Sequence, residues 1–355
     1  MTPDEAKALL LEARAYNDPD TTKRVDSLLA NPAWFHSLAE FSNQTRNSTF
    51  DLIKDVCHID ISTIMKSPIW IIPDPTTGCY VHTSGSVASV VVNEGALQCL
   101  CFMVSFFVAE VAVAEMAANP ALRADDRKNM LGFLGHARSL HLPLIARNVH
   151  QPTEFPDLRK FLGKTGMDQV ALYLTLAEAF MLLHENAHIA LNHITKPAGS
   201  SYSVFSVAVE EDLNLRKSQE LEADAHAVAA LPKAVRGLVA FGGIWFLQLV
   251  SYYEALFSRL SKSHPLAVNR QQTLLSLYGS EMDKGHKAVA TEIIRFGQEM
   301  YTGVQQFAHY SDEEKLKILF RGANHVYARD MIQWFFDFNA DFRVQLLLKA
   351  QLRKV

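Results

Sequence analysis

The sequence predicts a mainly α-helical fold with one small antiparallel β-sheet, an α+β class. Segments with apolar residues at helical spacing fill most of the chain beyond residue 95, while residues 69–92 alternate β-formers with Pro and Gly breaks. Composition agrees: 355 residues, 49% hydrophobic and 20% charged, can bury a sizeable core and resemble neither a disordered chain nor a fibre.

Residues 1–66 read as short helices with polar breaks. Thr2 can cap a helix beginning at Pro3, and Trp34, Phe35 and Leu38 mark an apolar face that carries no chemistry. Three strands are expected next, at IWII (69–72), CYVHT (79–83) and SVVV (89–92), with a Pro-Asp-Pro-Thr-Thr-Gly turn after the first. If SVVV is the edge, Val90, Val91 and Val92 offer free backbone groups to an extended peptide, which would bind by strand addition. Helices are expected near 96–118, 125–140, 167–194, 210–231, 233–261, 265–279, 284–308 and 326–351. These segments suggest an N-terminal helical region (1–66), a central domain (67–280) and a C-terminal helical region (281–355).

Charge excludes one class of partner. With 34 Lys plus Arg against 38 Asp plus Glu, the net charge of -4 lacks the basic field that nucleic-acid binding needs. Cys57, Cys79, Cys99 and Cys101 form no C-x-x-C pair, and the first residues lack the basic-then-apolar pattern of a secretion signal, so a reduced, cytoplasmic protein is expected. Two uncharged stretches bear on membranes. Glu94 and Glu110 bracket only 15 residues, and the 17 residues Gly237–Tyr253 contain Gln248, two adjacent glycines and two tyrosines. Both fall short of the roughly 20 residues of a bilayer span and are expected to be buried helices.

The chemistry lies in MLLHENAHIALNH. His184, Glu185 and His188 form H-E-x-x-H inside an apolar helical segment. Four residues apart, the two imidazoles share a helix face and can point at one ion, with Glu185 set to take a proton from a water at the ion's open position. Zn2+, one per chain, suits imidazole ligands and an open fourth position. Downstream, SQELEADAHAVAAL places Glu220 and Asp224 on one helix face. Glu220 can complete the ligand set while Asp224 accepts the outer N–H of a ligand histidine. The rival ligand Glu222 sits about 160° from Asp224 on the helical wheel and is disfavoured. His193 is turned off the ligand face and is expected to pack or to cap the helix end; His226 faces away from Asp224.

These motifs, followed by SHPLAVNR with His264, Pro265 and Arg270, resemble the gluzincin metallopeptidases, and within them the HtpX and prenyl-protein endopeptidase family. The likeness covers about residues 68–280 and implies a zincin-like core with additional helices. It also implies that the His264–Arg270 segment approaches the metal, where His264 or Arg270 would stabilise an oxyanion or hold a resting site closed. A further likeness, at motif level, is to the Lit phage-exclusion peptidases, which are soluble and cytoplasmic. The expected activity is zinc-dependent hydrolysis of an internal peptide bond in a specific intracellular protein, in quality control or phage defence, gated by a regulatory partner, a lid or oligomerisation. The alternatives are a non-catalytic helical interaction module that retains the metal motif and a membrane-associated processing protease.

Overall fold

The computed structural model describes residues 1–15, 19–74, 78–84, 86–118, 120, 121, 123–125, 128, 163–193, 201–203, 213–256, 265–305, 311 and 314. The expected helix at 326–351 lies outside them, as does that at 125–140 apart from residues 125 and 128. The chain divides into two compact units, one of Met1–Leu100 with Ala171–Asp312 and one of Cys101–Val170 with Glu313–Val355, so the division cuts across the expected boundaries near 66 and 280.

In the first unit, helices α1 (Pro3–Arg14), α2 (Pro19–Leu29) and α3 (Trp34–Cys57) precede the sheet. Thr2 caps α1 as expected, its hydroxyl accepting from the Glu5 N–H while the Glu5 carboxylate accepts from the Thr2 N–H at 2.7 Å. Ala6, Leu10, Val25 and Leu38 share a buried cluster with Ile72 and Val91 of the sheet. This common core is why the N-terminal helices group with the sheet instead of standing apart.

The strands are β1 (Ile69–Ile72), β2 (Cys79–Ser84), β3 (Val87–Asn93) and β4 (Ser201–Ser203), in spatial order β1-β3-β2-β4. The three expected strands are present, but the sheet is mixed: β3 is parallel to β1 and antiparallel to β2, and β4 is antiparallel to β2. The two-residue connection between β2 and β3 makes a hairpin, and β1 joins the free side of β3. Val90, Val91 and Val92 therefore lie in an interior strand whose backbone is paired on both sides. The expectation that they receive a substrate strand is corrected, because the hairpin buries SVVV between its neighbours. The outer sides of β1 and β2 have company as well. The Ile71 N–H donates to Ser42 Oγ of α3 at 3.1 Å, and β4 lines the outer side of β2.

Among the described residues the remaining helices are α4 (Glu94–Ala117), α5 (Gly163–Ala190), α6 (Leu213–Ala229), α7 (Lys233–Leu256), α8 (Ala267–Tyr278) and α9 (Lys284–Gln305). All six fall on expected helical segments. Both α4 and α5 have residues in each of the two units. The windows Glu94–Ala112, Lys164–Ala190 and Lys233–Glu254 are long and apolar enough to cross a membrane by length and composition. In α7, however, 78% of that window is buried within the protein. Its adjacent glycines serve packing: a Cβ on Gly242 would stand 2.1 Å from the Leu176 carbonyl oxygen of α5, and one on Gly243 would meet the Phe180 ring at 2.6 Å. Helix α8 is tied to α7 by the Gln271 side-chain amide, which donates to the Ile244 carbonyl at 2.9 Å and to Gln248 Oε1 at 3.2 Å.

Candidate metal centre

Every residue from Ala179 to His188 is buried, so α5 carries its polar triad through the core. His184 stacks on the Phe180 ring and lies beside Phe246, which fixes the plane of its imidazole. The helix ends at Ala190, and two residues on Asn192, whose φ of 52° is left-handed, turns the chain so that the His193 N–H donates to the His188 carbonyl at 3.0 Å. Helix α6 brings Glu220 and Asp224, one turn apart, against this face.

The three expected ligands converge. His184 Nε2 lies 3.1 Å from His188 Nε2 and 3.4 Å from Glu220 Oε2, while His188 Nε2 lies 3.6 Å from Glu220 Oε1. Donors about 2.0–2.1 Å from a tetrahedral zinc stand about 3.3 Å apart, so the observed separations match the edges of such a tetrahedron. All three side chains are buried, and together they form a group able to hold one metal ion. Glu222, the rival, has a 58% exposed side chain and turns away to His193. Glu185 is fully buried beside the cluster, and neither of its carboxylate oxygens has a hydrogen-bond partner among the described residues. A buried acceptor in that state fits a carboxyl whose partner is a water or substrate group. Two imidazoles, one carboxylate and an unengaged acid thus fit a cation with an open position.

Behind the ligands stands a buried ion-pair network. Asp224 Oδ1 lies 3.0 Å from His184 Nδ1, and the Arg270 guanidinium grips Asp224 through Nε and Nη2, each at 2.7 Å. Arg270 Nη1 reaches Glu220 Oε2 at 3.0 Å. Arg270 is thus wholly buried behind two carboxylates, which engage its Nε, Nη1 and Nη2. The oxyanion role expected of Arg270 thus gives way to pairing: its guanidinium is buried and turned to Glu220 and Asp224. His264 lies outside the described residues. Asp224 lies beside His184 Nδ1, while His184 Nε2 faces His188 and Glu220.

Charge follows burial and partners. Burial acts to raise the Glu220 carboxyl, but Arg270 and the two histidines outweigh it and hold the pKa well below the ordinary carboxylate range. Asp224 is lowered by the same balance of burial against Arg270 and His184. In Glu185 burial dominates: despite the opposing His184 and Arg270 charges, and with Glu220 adding repulsion, its pKa rises to about 8. Burial pushes His188 down to about 3, whereas hydrogen bonds to Asp224 and Glu220 overcome burial at His184 and raise it to about 9.

Sequence reasoning missed three neighbours. His193 Nδ1 lies 3.0 Å from His188 Nδ1, a contact that depends on the left-handed turn at Asn192. The Glu254 carboxylate accepts the Ala267 N–H at 2.9 and 3.1 Å, capping the start of α8; burial raises its pKa to about 7 against that hydrogen bond and the Arg270 charge. The Cys79 thiol, at the head of β2, is pushed up by burial and further by the Glu185 charge. Neither Glu254 nor Cys79 belongs to a motif. The only signal for His193 was its place five residues after His188.

No curated protein and no solved structure gives a significant match. A sequence model of the peptidase U49 family matches residues 92–290, more than half of the chain, and its span includes HENAH, Glu220, Asp224 and Arg270. The match falls on the Lit-type peptidases, the second of the two resemblances, whereas the HtpX-type likeness rests on motif spacing. With that match spanning more than half of its length, the chain belongs to the peptidase U49 family.

Proposed function

We propose that this protease is a zinc-dependent endopeptidase that cuts an internal peptide bond of a specific intracellular protein. The observation that carries the reading is the meeting of His184, His188 and Glu220 around one point, with the unengaged Glu185 carboxyl beside it. Two nitrogens and one carboxylate oxygen favour zinc over magnesium or calcium, which prefer all-oxygen sites. When bound, the cation supplies Lewis acidity, polarising a scissile carbonyl and making a water more acidic. Glu185 takes the water's proton and passes it to the departing amine, and its raised pKa suits a group that exchanges protons near neutral pH. Asp224 keeps the His184 Nδ1–H engaged, so Nε2 faces the cluster.

An extended substrate would require a strand edge. The outer side of β2 is the better candidate, because among the described residues it is covered by the three residues of β4. A peptide entering there would replace β4, so regulation and substrate entry would share one edge. A cytoplasmic location is part of this proposal, since no disulfide joins the four cysteines.

The decisive experiment compares the full chain with Glu185→Gln. The parent should hold one zinc by elemental analysis and cleave a peptide library read by mass spectrometry. The variant should keep its zinc while losing about 10²–10⁴-fold in rate. Undiminished cleavage by the variant, or a parent with no affinity for zinc, would sink the proposal.

A further inference from the structure

The two ligand histidines are backed differently, His184 by Asp224 and His188 by His193. His188 presents Nε2 to the cluster, so its Nδ1 carries the ring proton when Nε2 donates its lone pair to a metal. That proton points at His193 Nδ1, 3.0 Å away. With Nδ1 accepting, the neutral His193 ring carries its hydrogen on Nε2, which lies 3.3 Å from Glu222 Oε2. Glu222 is steadied in turn by the Ser218 hydroxyl, which donates to its other oxygen at 3.1 Å. The directions close without conflict: His188 donates to His193, His193 to Glu222, and the chain ends on a carboxylate.

We propose that His193 and Glu222 are positioning residues of the metal site, a two-member hydrogen-bond chain from α6 that holds His188 in the tautomer and ring orientation needed to bind the cation. The inference rests on the metal reading above. His193 is 7% exposed and follows the left-handed turn at Asn192, so its ring is held in place, whereas Glu222 opens to solvent. A carboxylate behind a ligand imidazole raises the basicity of the ligating nitrogen and fixes its direction; here that influence reaches His188 through a second imidazole. The chain also bridges two elements, since His193 follows α5 and Glu222 lies on α6. It therefore locks the helix carrying the two histidine ligands to the helix carrying the Glu220 ligand.

The test measures Zn2+ and Co2+ affinity of the full chain by competition with a chromophoric chelator, alongside the visible absorption of the Co2+ form. In His193→Asn the amide oxygen can stand where Nδ1 stood and accept from His188, so affinity and Co2+ spectrum should stay near those of the parent. In His193→Leu, of similar bulk without an acceptor, affinity should fall about 10–100-fold and the Co2+ bands should shift. Glu222→Ala, at an exposed position, should weaken binding a few-fold in the parent background and have no effect in His193→Leu. Thermal midpoints of the metal-free forms show whether each variant folds, and the Glu222 arm decides the matter if His193→Leu does not. Parent-like affinity in both His193→Leu and Glu222→Ala, or equal loss in His193→Asn and His193→Leu, would overturn the proposal. A parent chain that binds neither cation would instead remove the metal reading on which it stands.

Discussion

The metal centre has two backs built on opposite principles. Behind His184, Asp224 and Arg270 form an ion pair sealed from solvent, with Arg270 also holding Glu220. Behind His188, His193 passes the connection outward to Glu222, more than half exposed. Both fix the direction of an imidazole, but the first couples that task to the stability of the core and the second largely separates them. Buried charges resist adjustment, because removing either partner strands the other away from water. A chain that ends in solvent can be altered at its outer end without that penalty.

The largest expected effect tests the sealed side. Arg270→Met should destabilise the metal-free chain by about 3–5 kcal/mol in urea unfolding, since Glu220 and Asp224 are left buried without their cation. A loss below about 1 kcal/mol would show that the network is not the rigid element described here. Next comes the packing that supports the same side: Gly242→Ala forces a methyl against the Leu176 carbonyl of α5 and should cost up to about 3 kcal/mol, read by thermal unfolding.

Glu178 sharpens the contrast from another direction. It lies on α5 ahead of the ligands, and burial alone raises its pKa from 4.5 to about 7, whereas Asp224 and Glu220 are held low by Arg270. Between those two pH values the folded chain keeps a proton that the unfolded chain releases, so this group's contribution to stability falls as pH rises from about 4.5 to 7. Glu178→Gln should remove that decline, and the stability difference between variant and parent should grow by about 2 kcal/mol from pH 5 to pH 8 in paired urea melts. A constant difference across that range would contradict a burial-raised carboxyl. The smallest effect belongs to the solvent side: Glu222→Ala should leave metal-free stability within about 0.5 kcal/mol of the parent. A much larger loss would mean that the two backs are not separable.

What was legible in the sequence follows from the range of the interactions. His184, Glu185 and His188 sit on one helix, Glu220 and Asp224 on another, and helical spacing alone settles which residues share a face. Six helices from α4 onward were readable for the same reason. The sheet order was not, because strand neighbours are chosen by distant pairing: SVVV reads as well for an edge as for the interior strand it forms, and β4 is a three-residue piece far along the chain. Arg270 was singled out by its place after His264, yet its role depends on α8 packing against α7 and turning the guanidinium inward. His193 is expected to pack or to cap the helix end, and where its ring lies, against His188, required knowing the turn at Asn192.

The start of α8 is set by Glu254, a side chain of α7 that grips the Ala267 N–H. Arg270 stands within the first turn beyond that grip, so its location is inherited from α7 and not from the residues that connect the two helices. Any change that moves α7 therefore carries Arg270 with it, away from Glu220 and Asp224.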